Sequence, residues 1–376
     1  MKAVAFYLPQ FHAIPENDEM WGEGFTEWDN LKKAKPLFKG HYQPRVPLNQ
    51  NYYNLLDDDV MKWQVDLAKS HNIYGFCFYH YWFDGKKLLE KPVEKFLERK
   101  DLDINFCLCW ANEPWSKAWV SKSDEVLYEQ NYGNESNWEN HFRYLLPYFK
   151  DKRYIKENNA PLFIIYRPEQ IDCLNNMLDY FNQRAIEEGF NGMIFAYQHI
   201  DFNLISDKDD SRFKYNIEYE PLYSMHYLRD ENKCNSKLFE IGKKVDKLFF
   251  KIFNRTLSEY YLKKVRKFDY DKLWIKSNER KPENDKCIAG AFVDWDNTPR
   301  RGTKGIVAEG ASPEKFKKYF SKKLENVQKY YSTDYVFLFA WNEWAEGGYL
   351  EPDEKYQLSY LKAVKETLEK YQNEKR

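Results

Sequence analysis

Eight short apolar runs recur along the chain, and each ends in a cluster of polar and aromatic residues. They cover Ala3–Leu8, Tyr74–Tyr79, Ile104–Cys109, Leu162–Tyr166, Met193–Tyr197, Ile217–Tyr219, Ile288–Val293 and Tyr335–Ala340. Hydrophobicity within them is largely unbroken rather than alternating, and the sixth run, Ile217-Glu218-Tyr219, is weak. Each strand is therefore expected to be buried on both faces, as in a parallel sheet covered by helices. Helical patterns fall between several of the runs. Asp57-Asp58-Asp59 precedes a stripe of Val60, Trp63, Leu67 and Ala68, and acidic side chains suit the positive end of a helix. Leu88–Arg99, Trp138–Phe149, Ile171–Glu188, Pro313–Tyr330 and Tyr356–Tyr371 read the same way, the last aligning Tyr360, Leu361, Val364 and Leu368. Strands alternating with helices over 376 residues predict an α/β chain, a single (β/α)8 TIM barrel spanning residues 1–376. A doubly wound sheet is the competing architecture, but no G-x-G-x-x-G follows any strand.

One stretch breaks the rhythm. From about residue 201 to 284 the strand–helix spacing is lost, which predicts an insertion. Residues 241–280 carry 12 Lys/Arg against 5 Asp/Glu. Val245, Leu248, Phe249, Ile252 and Phe253 recur there at helical spacing with lysines between them, the pattern of a basic amphipathic helix. Two readings stand: a lid packed over the barrel mouth, or a patch resting on an anionic membrane or a lipid-linked substrate.

Composition narrows the class. Net charge is −1, which argues against a chain-wide nucleic-acid binder. A hydrophobic fraction of 43% with 31% charged residues supplies both a core and a surface. No apolar run approaches the ~18 residues that span a bilayer. The N-terminus enters a strand-like segment without a signal h-region, so a cytoplasmic chain with free thiols is expected. The basic segment is its candidate contact with the inner face of the membrane. Cys77, Cys107 and Cys287 lie inside apolar runs, and no paired C-x-x-C or nearby His suggests zinc. No metal or cofactor is expected. The 18% aromatic content offers flat apolar faces with polar edges, suited to sugar rings. A biased genome rich in Asn, Lys, Tyr, Phe and Ile codons explains it as well.

In α/β barrels the reacting groups stand at the C-terminal ends of the strands. Here those ends read Tyr7 through His12, Tyr79-His80-Tyr81-Trp82, Trp110 through Trp115, Tyr166-Arg167, Tyr197-Gln198-His199, Asp294-Trp295-Asp296-Asn297 and Trp341 through Gly348. Carboxylates, amides and aromatics repeated at matching positions point to a saccharide site. The last of these ends carries the strongest signal. Glu343 and Glu346 are three residues apart, where an apolar run gives way to Gly347-Gly348. A turn can bring both carboxylates to one cavity, whereas a straight strand points i and i+3 to opposite faces. Two carboxyls in different environments can divide acid and base duties. The alternative is that one glutamate only ties the barrel rim.

The longer motifs add a resemblance. They are Tyr7 through His12, Pro15 through Asp18, Trp21 through Trp28, Lys39 through Pro44, Gly75 through Trp82, Trp110 through Glu113, Trp295 through Arg301 and Trp341 through Gly347. With them the chain resembles the bacterial WbsX-type family, labelled glycosyltransferases of polysaccharide assembly, whose barrel is similar to glycoside hydrolase family 99. The family's usual Asn-Trp-Thr-Arg-Arg-Trp-like continuation is replaced by Pro114 through Trp119, so its sugar specificity is not carried over. The resemblance implies a retaining reaction on α-mannoside-type linkages. It makes Glu343 the base that deprotonates the sugar 2-hydroxyl, whose O2 attacks C1 to give a 1,2-anhydro sugar. It makes Glu346 the acid for the leaving oxygen, then the base for water or an acceptor. The acid is expected to be protonated and the base ionised near neutrality. Asn342, Trp344 and Trp295 are expected to orient the sugar, with His80, Asn112, Glu113 and Arg167 bonding its hydroxyls and Tyr7 and Trp82 also binding substrate. The implied partner is an oligo- or polysaccharide or a lipid-linked glycan, in the setting of O-antigen or capsule biosynthesis.

Two other readings remain open. A transferase using an activated sugar needs a diphosphate grip, and Asp57-Asp58-Asp59 reads as a helix cap. A catalytically silent glycan-binding barrel has the same rim without turnover. Metal hydrolases, G-x-S-x-G hydrolases and phosphate-binding barrels lack their motifs.

Overall fold

The computed structural model describes residues 1–116, 126–199, 209–232 and 265–373. Eight parallel strands close into a barrel: β1 (Lys2–Tyr7), β2 (Ile73–Phe83), β3 (Asn105–Trp110), β4 (Ala160–Ile165), β5 (Ile194–His199), β6 (Phe213–Glu218), β7 (Cys287–Phe292) and β8 (Tyr335–Phe339). Each pairs with its neighbour in chain order, and β1 closes the ring against β8, Lys2 opposite Tyr335 and Ala5 opposite Leu338. Every apolar run named above falls on one of them, and the (β/α)8 architecture is as expected. Strand β2 runs longer than its apolar run and carries Tyr79 through Trp82 within it.

Helices cover the barrel: α1 (Asp58–Ser70), α2 (Lys91–Glu98), α3 (Glu135–Lys150), α4 (Leu174–Glu187), α5 (Leu222–Asn232), α6 (Tyr270–Glu279), α7 (Pro313–Tyr330) and α8 (Ser359–Asn373). Their starts are set by side chains that satisfy first-turn amides. Asn134 accepts from the Ser136 amide, Asp269 from Lys272 and Ser312 from Lys315. Asp57 precedes α1 without a side-chain capping bond, and Asp58 and Asp59 occupy its first turn, where acidic side chains suit the helix dipole. Helix α7 buries Phe316, Phe320, Leu324 and Val327 on one stripe.

The barrel interior is aromatic. Phe6 lies 5.7 Å from Tyr79, 5.6 Å from Tyr219 and 5.4 Å from Phe337, ring centre to ring centre. At Gly290 of β7 a Cβ would sit 1.6 Å from the Glu218 carbonyl oxygen, so only glycine lets β6 and β7 approach. The stretch read as an insertion contains β6, α5 and α6. Trp274 of α6 stacks on Phe292 of β7 at 4.8 Å, so this helix is part of the barrel's cover. Residues 245–253, on which the basic amphipathic helix was read, lie outside the described residues. Among the described residues no helix is long and apolar enough to cross a membrane.

Candidate active site

Beyond β8 the chain makes a tight hairpin. Asn342–Glu343 pairs antiparallel with Gly348–Tyr349, and the turn between them is the 3₁₀ segment Trp344–Glu346. Three residues per turn place i and i+3 on one side, so the spacing of Glu343 and Glu346 becomes a shared facing. Gly347 closes the turn at φ 70°, a left-handed conformation that favours glycine. A Cβ there would also meet the Asp296 amide at 2.8 Å. That amide donates to the Glu346 carbonyl at 2.7 Å, fixing the hairpin to the loop after β7.

The same loop supplies the cation. Arg300, on the short helix Thr298–Arg301, donates from Nη1 to Glu346 at 2.8 Å and from Nη2 to Glu343 at 3.3 Å. Its Nε donates to Glu27 at 3.1 Å. Glu27 opens a helix, Glu27–Lys33, that follows a Thr26–Asp29 capping box. A single buried guanidinium therefore holds both candidate catalytic carboxylates and is held from behind by a third.

These groups face a cavity at the C-terminal mouth of the barrel. Tyr79, Tyr81, Tyr166, Tyr219 and Trp115 form its aromatic wall, and Glu113 adds a third carboxylate beside Glu343 and Glu346. The Tyr79 and Tyr219 hydroxyls lie 3.2 Å apart. Burial pushes all four phenols up, so the wall stays neutral. Burial also raises Glu113 and Glu27, against the pull of Arg167 and Arg300 respectively.

The two glutamates of the pair differ in setting. The Glu343 side chain is 6% exposed and that of Glu346 20%. Burial pushes Glu343 up to about 8 against the pull of Arg300, and Glu346 and Glu27 add to the rise. Burial thus opposes ionisation of the residue assigned as base, while Arg300 favours it.

Most of the residues proposed to touch sugar are elsewhere. His80 and Trp82 project from β2 away from the cavity and onto α3. His80 Nε2 lies 2.9 Å from His141 Nε2, and the Trp82 ring stacks on His141 at 4.7 Å. Burial pushes His80 down to about 3, leaving a neutral core histidine. The cavity takes the alternate side chains, Tyr79 and Tyr81, as the period of two requires. Tyr7 likewise points outward, donating to Gln64 of α1 at 2.6 Å. Asn112 is a tie between strands: its Nδ2 donates to the Arg167 carbonyl and its Oδ1 accepts from the Arg167 amide, both at 2.8 Å. Asn342 ties the hairpin to β1 in the same way through both backbone groups of Leu8. The Trp344 indole is stacked on Tyr349 and donates to Glu351 at 2.7 Å. Trp295 is buried with its ring 5.2 Å from Phe339. None of these lines the cavity. Glu113 does, and Arg167 donates to it from Nη1 at 3.2 Å.

The motif Lys39 through Pro44 is also accounted for structurally. His41 and Gln43 bond Asp296 at 2.8 and 2.7 Å, while neighbouring Arg45 donates to Asp294 and to the Gly347 carbonyl. This network braces the hairpin that carries the glutamate pair. Lys117 through Trp119 lie outside the described residues.

Fold and site together define a (β/α)8 barrel with three carboxylates and a buried arginine at an aromatic mouth. Residues 3–364 match the sequence profile of the family described as Glycosyltransferase WbsX, and the chain belongs to that family. An uncharacterized protein, WxcX of Xanthomonas campestris pv. campestris, is 32% identical over 97% of this chain. The chain spans about half of that relative, 49% of its length. Among solved structures, the GH99 endo-α-mannosidase of Bacteroides thetaiotaomicron in complex with bis-tris-propane superposes with a TM-score of 0.57. The superposition covers 99% of this chain and 98% of that one, at 11% identity. A glycoside hydrolase-like protein gives a TM-score of 0.54 over 97% and 93% of the two chains, also at 11% identity. These structures share the fold.

Proposed function

We propose that this chain is a retaining enzyme that cleaves or transfers an α-linked glycoside, with Glu343 and Glu346 as the reacting pair. The observation that carries the reading is that both carboxylates face one cavity and share one buried arginine. Glu343, the deeper group, is suited to the sugar itself. Glu346, the more exposed, is suited to the leaving group and to an incoming water or acceptor.

In the first step Glu343, as carboxylate, takes the 2-hydroxyl proton. O2 attacks C1, the bond from C1 to the leaving oxygen breaks, and Glu346 gives its proton to that oxygen. In the second step water or an acceptor hydroxyl attacks C1 and gives its proton to Glu346. The C1–O2 bond opens and Glu343 returns its proton to O2. The pair carries one negative charge throughout. Acid–base assistance of this kind contributes ~10²–10⁴-fold, and the substrate's O2 replaces the enzyme nucleophile of other retaining glycosidases.

Electrostatics weigh against a nucleotide-sugar donor. Three carboxylates line the cavity and a fourth, Glu27, lies behind Arg300. Arg300 and Arg167 are already engaged by these carboxylates, so neither is presented to a diphosphate. The family's description as glycosyltransferases supports transfer to an acceptor hydroxyl as the second step. The test is product analysis with α-linked oligosaccharides of mannose, glucose and rhamnose, and with lipid-linked glycans, with and without an added acceptor. Retention in the product and loss of turnover in Glu343→Gln and Glu346→Gln are expected. Wild-type turnover in both variants overturns the assignment, and binding without turnover in the unmutated chain indicates a silent glycan-binding barrel.

A further inference from the structure

Arg300 touches both members of the pair through different nitrogens, and this has a consequence for how charge moves in the reaction. In the first step above, Glu343 begins as the anion and ends neutral, while Glu346 does the reverse. One negative charge migrates from one carboxylate to the other and back in the second step. A cation beside only one of them would favour one end of that migration. Arg300 instead presents Nη2 to Glu343 and Nη1 to Glu346, so the charge stays against the same guanidinium wherever it resides.

We propose that Arg300 is the positioning residue of the pair. Its two terminal nitrogens hold the carboxylates for concerted proton exchange and keep the migrating charge compensated, and Glu27 fixes the guanidinium from behind. This rests on the reading of Glu343 and Glu346 as the reacting groups. The arrangement is built for rigidity. Arginine is planar, always charged and presents its donors as a fixed fork. The Arg300 side chain is 4% exposed and that of Glu27 1%, so neither is free to swing into solvent. Glu27 takes the Nε edge, which leaves the two Nη edges for the pair. A fixed cation aimed at developing charge needs no reorganisation during the step, the condition under which electrostatic stabilisation is largest.

Among the described residues, the ionisable groups with the largest effect on Glu343 are Arg300, Glu346 and Glu27, and Tyr79, Tyr81 and Tyr219 also face it. Arg300 is the cation with the largest effect, and it lowers Glu343. Its removal therefore raises the pH at which Glu343 ionises, as for any cation at this distance, and the loss of kcat with KM held is what separates positioning from packing.

The test is a pH titration of the full chain with ¹³C-carboxyl glutamate, followed by NMR, with the Glu343 resonance assigned by its loss in Glu343→Gln. In Arg300→Met its midpoint rises by about one pH unit or more. Arg300→Lys, which keeps the charge without the fork, shows a smaller rise. Turnover is read on the panel oligosaccharide that the unmutated chain processes fastest. Arg300→Met lowers kcat about 10²-fold or more with KM within a few-fold, and Arg300→Lys recovers only part of it. Glu27→Gln is the milder variant should Arg300→Met not fold. It lowers the Glu343 midpoint, since Glu27 raises it, and lowers kcat roughly tenfold through loss of Arg300's alignment. An unmoved midpoint with kcat within twofold, in Arg300→Lys and Glu27→Gln or in Arg300→Met, overturns the proposal. Because the titration needs no substrate, the two failures separate. A shifted midpoint alongside active Glu343→Gln and Glu346→Gln rejects the reacting pair, whereas inactive pair variants with an unmoved midpoint reject Arg300.

Discussion

Two buried arginines in this barrel each sit among glutamates, with opposite outcomes. Arg300 joins Glu27, Glu343 and Glu346 at the mouth. Arg280, just past α6, donates to Glu218 at 3.1 Å and to Glu220 at 2.7 Å. In the second cluster further neighbours reinforce the ion pairing. The Tyr331 hydroxyl donates to Glu218, the amide and hydroxyl of Ser224 donate to Glu220, and the guanidinium lies 3.9 Å from the centre of the Tyr223 ring. Burial raises Glu218, but Arg280, Lys323 and Tyr331 together carry it below its ordinary value. Lys323, buried beside them, is pushed down to about 8. Glu343 has a weaker hold on its arginine, two further carboxylates near it and a cavity in front of it, and it goes up. Burying a charge does not make a site. Chemistry needs a proton left loose and an opening through which a substrate reaches it.

Neutralising one carboxylate in each cluster separates the two most strongly. Glu346→Gln is expected to lower kcat about 10²–10⁴-fold while circular dichroism and the urea midpoint stay close to the unmutated chain. Glu218→Gln is expected to do the reverse. Leaving Arg280 short of a counter-charge in a sealed setting costs about 3–5 kcal/mol, read by urea unfolding, with kcat within a few-fold. If the two variants behave alike, the distinction between site and brace fails.

The pH profile gives the next largest effect, and its sign assigns the roles. If Glu343 is the base, the free protein must lose the Glu343 proton, and log(kcat/KM) rises with pH to a plateau above about 8. If Glu343 is the acid, the same ionisation makes the rate fall above about 8. A limb of the opposite sign exchanges the two glutamates without touching the pair. Stability follows the same group. Its folded value is raised above the ordinary 4.5, so between those two pH values the unfolded chain has released a proton that the folded chain retains. Stability contributed by this group therefore falls as pH rises through that window. Glu343→Gln removes the slope, and at pH 8 it is expected to be more stable than the unmutated chain by on the order of a few kcal/mol at most, measured by urea unfolding at pH 5 and 8.

How much of this was legible in the sequence follows from what burial does to a pattern. The strands were legible because both faces are buried and the runs are unbroken. That same lack of alternation hides which side chains face the barrel. At β2 the sequence offers Tyr79-His80-Tyr81-Trp82 with equal polar and aromatic promise, and the expectation settled on the two that face α3. Glu343 and Glu346 were legible because Gly347-Gly348 marks the turn that aligns them. Arg300 and Glu27 stood in quoted motifs without a role, since a cation 43 residues before its partner leaves no local pattern. Asn112 and Asn342 looked like sugar ligands because a strand-end amide is suited equally to a hydroxyl and to a neighbouring strand's backbone. Tyr219 was missed as a wall residue where the six-strand signal was weakest, its apolar run covering only the end of β6.

The smallest expected effect tests the two faces of β2 against each other. His80 is neutral, bonded to His141 and packed beneath α3, so His80→Gln alters a core contact and leaves KM for the panel oligosaccharide within about twofold. Tyr81 lines the cavity and its ring packs edge-on against Trp115 at 5.3 Å. Tyr81→Ala removes part of an aromatic wall whose contacts are worth about 0.5–1.5 kcal/mol beyond burial, which appears as a rise in KM of roughly 2–10-fold. A larger KM change in His80→Gln than in Tyr81→Ala would mean that the sugar reaches the outer face of the strand, and the cavity defined by Glu343, Glu346 and Arg300 would then not be where substrate binds.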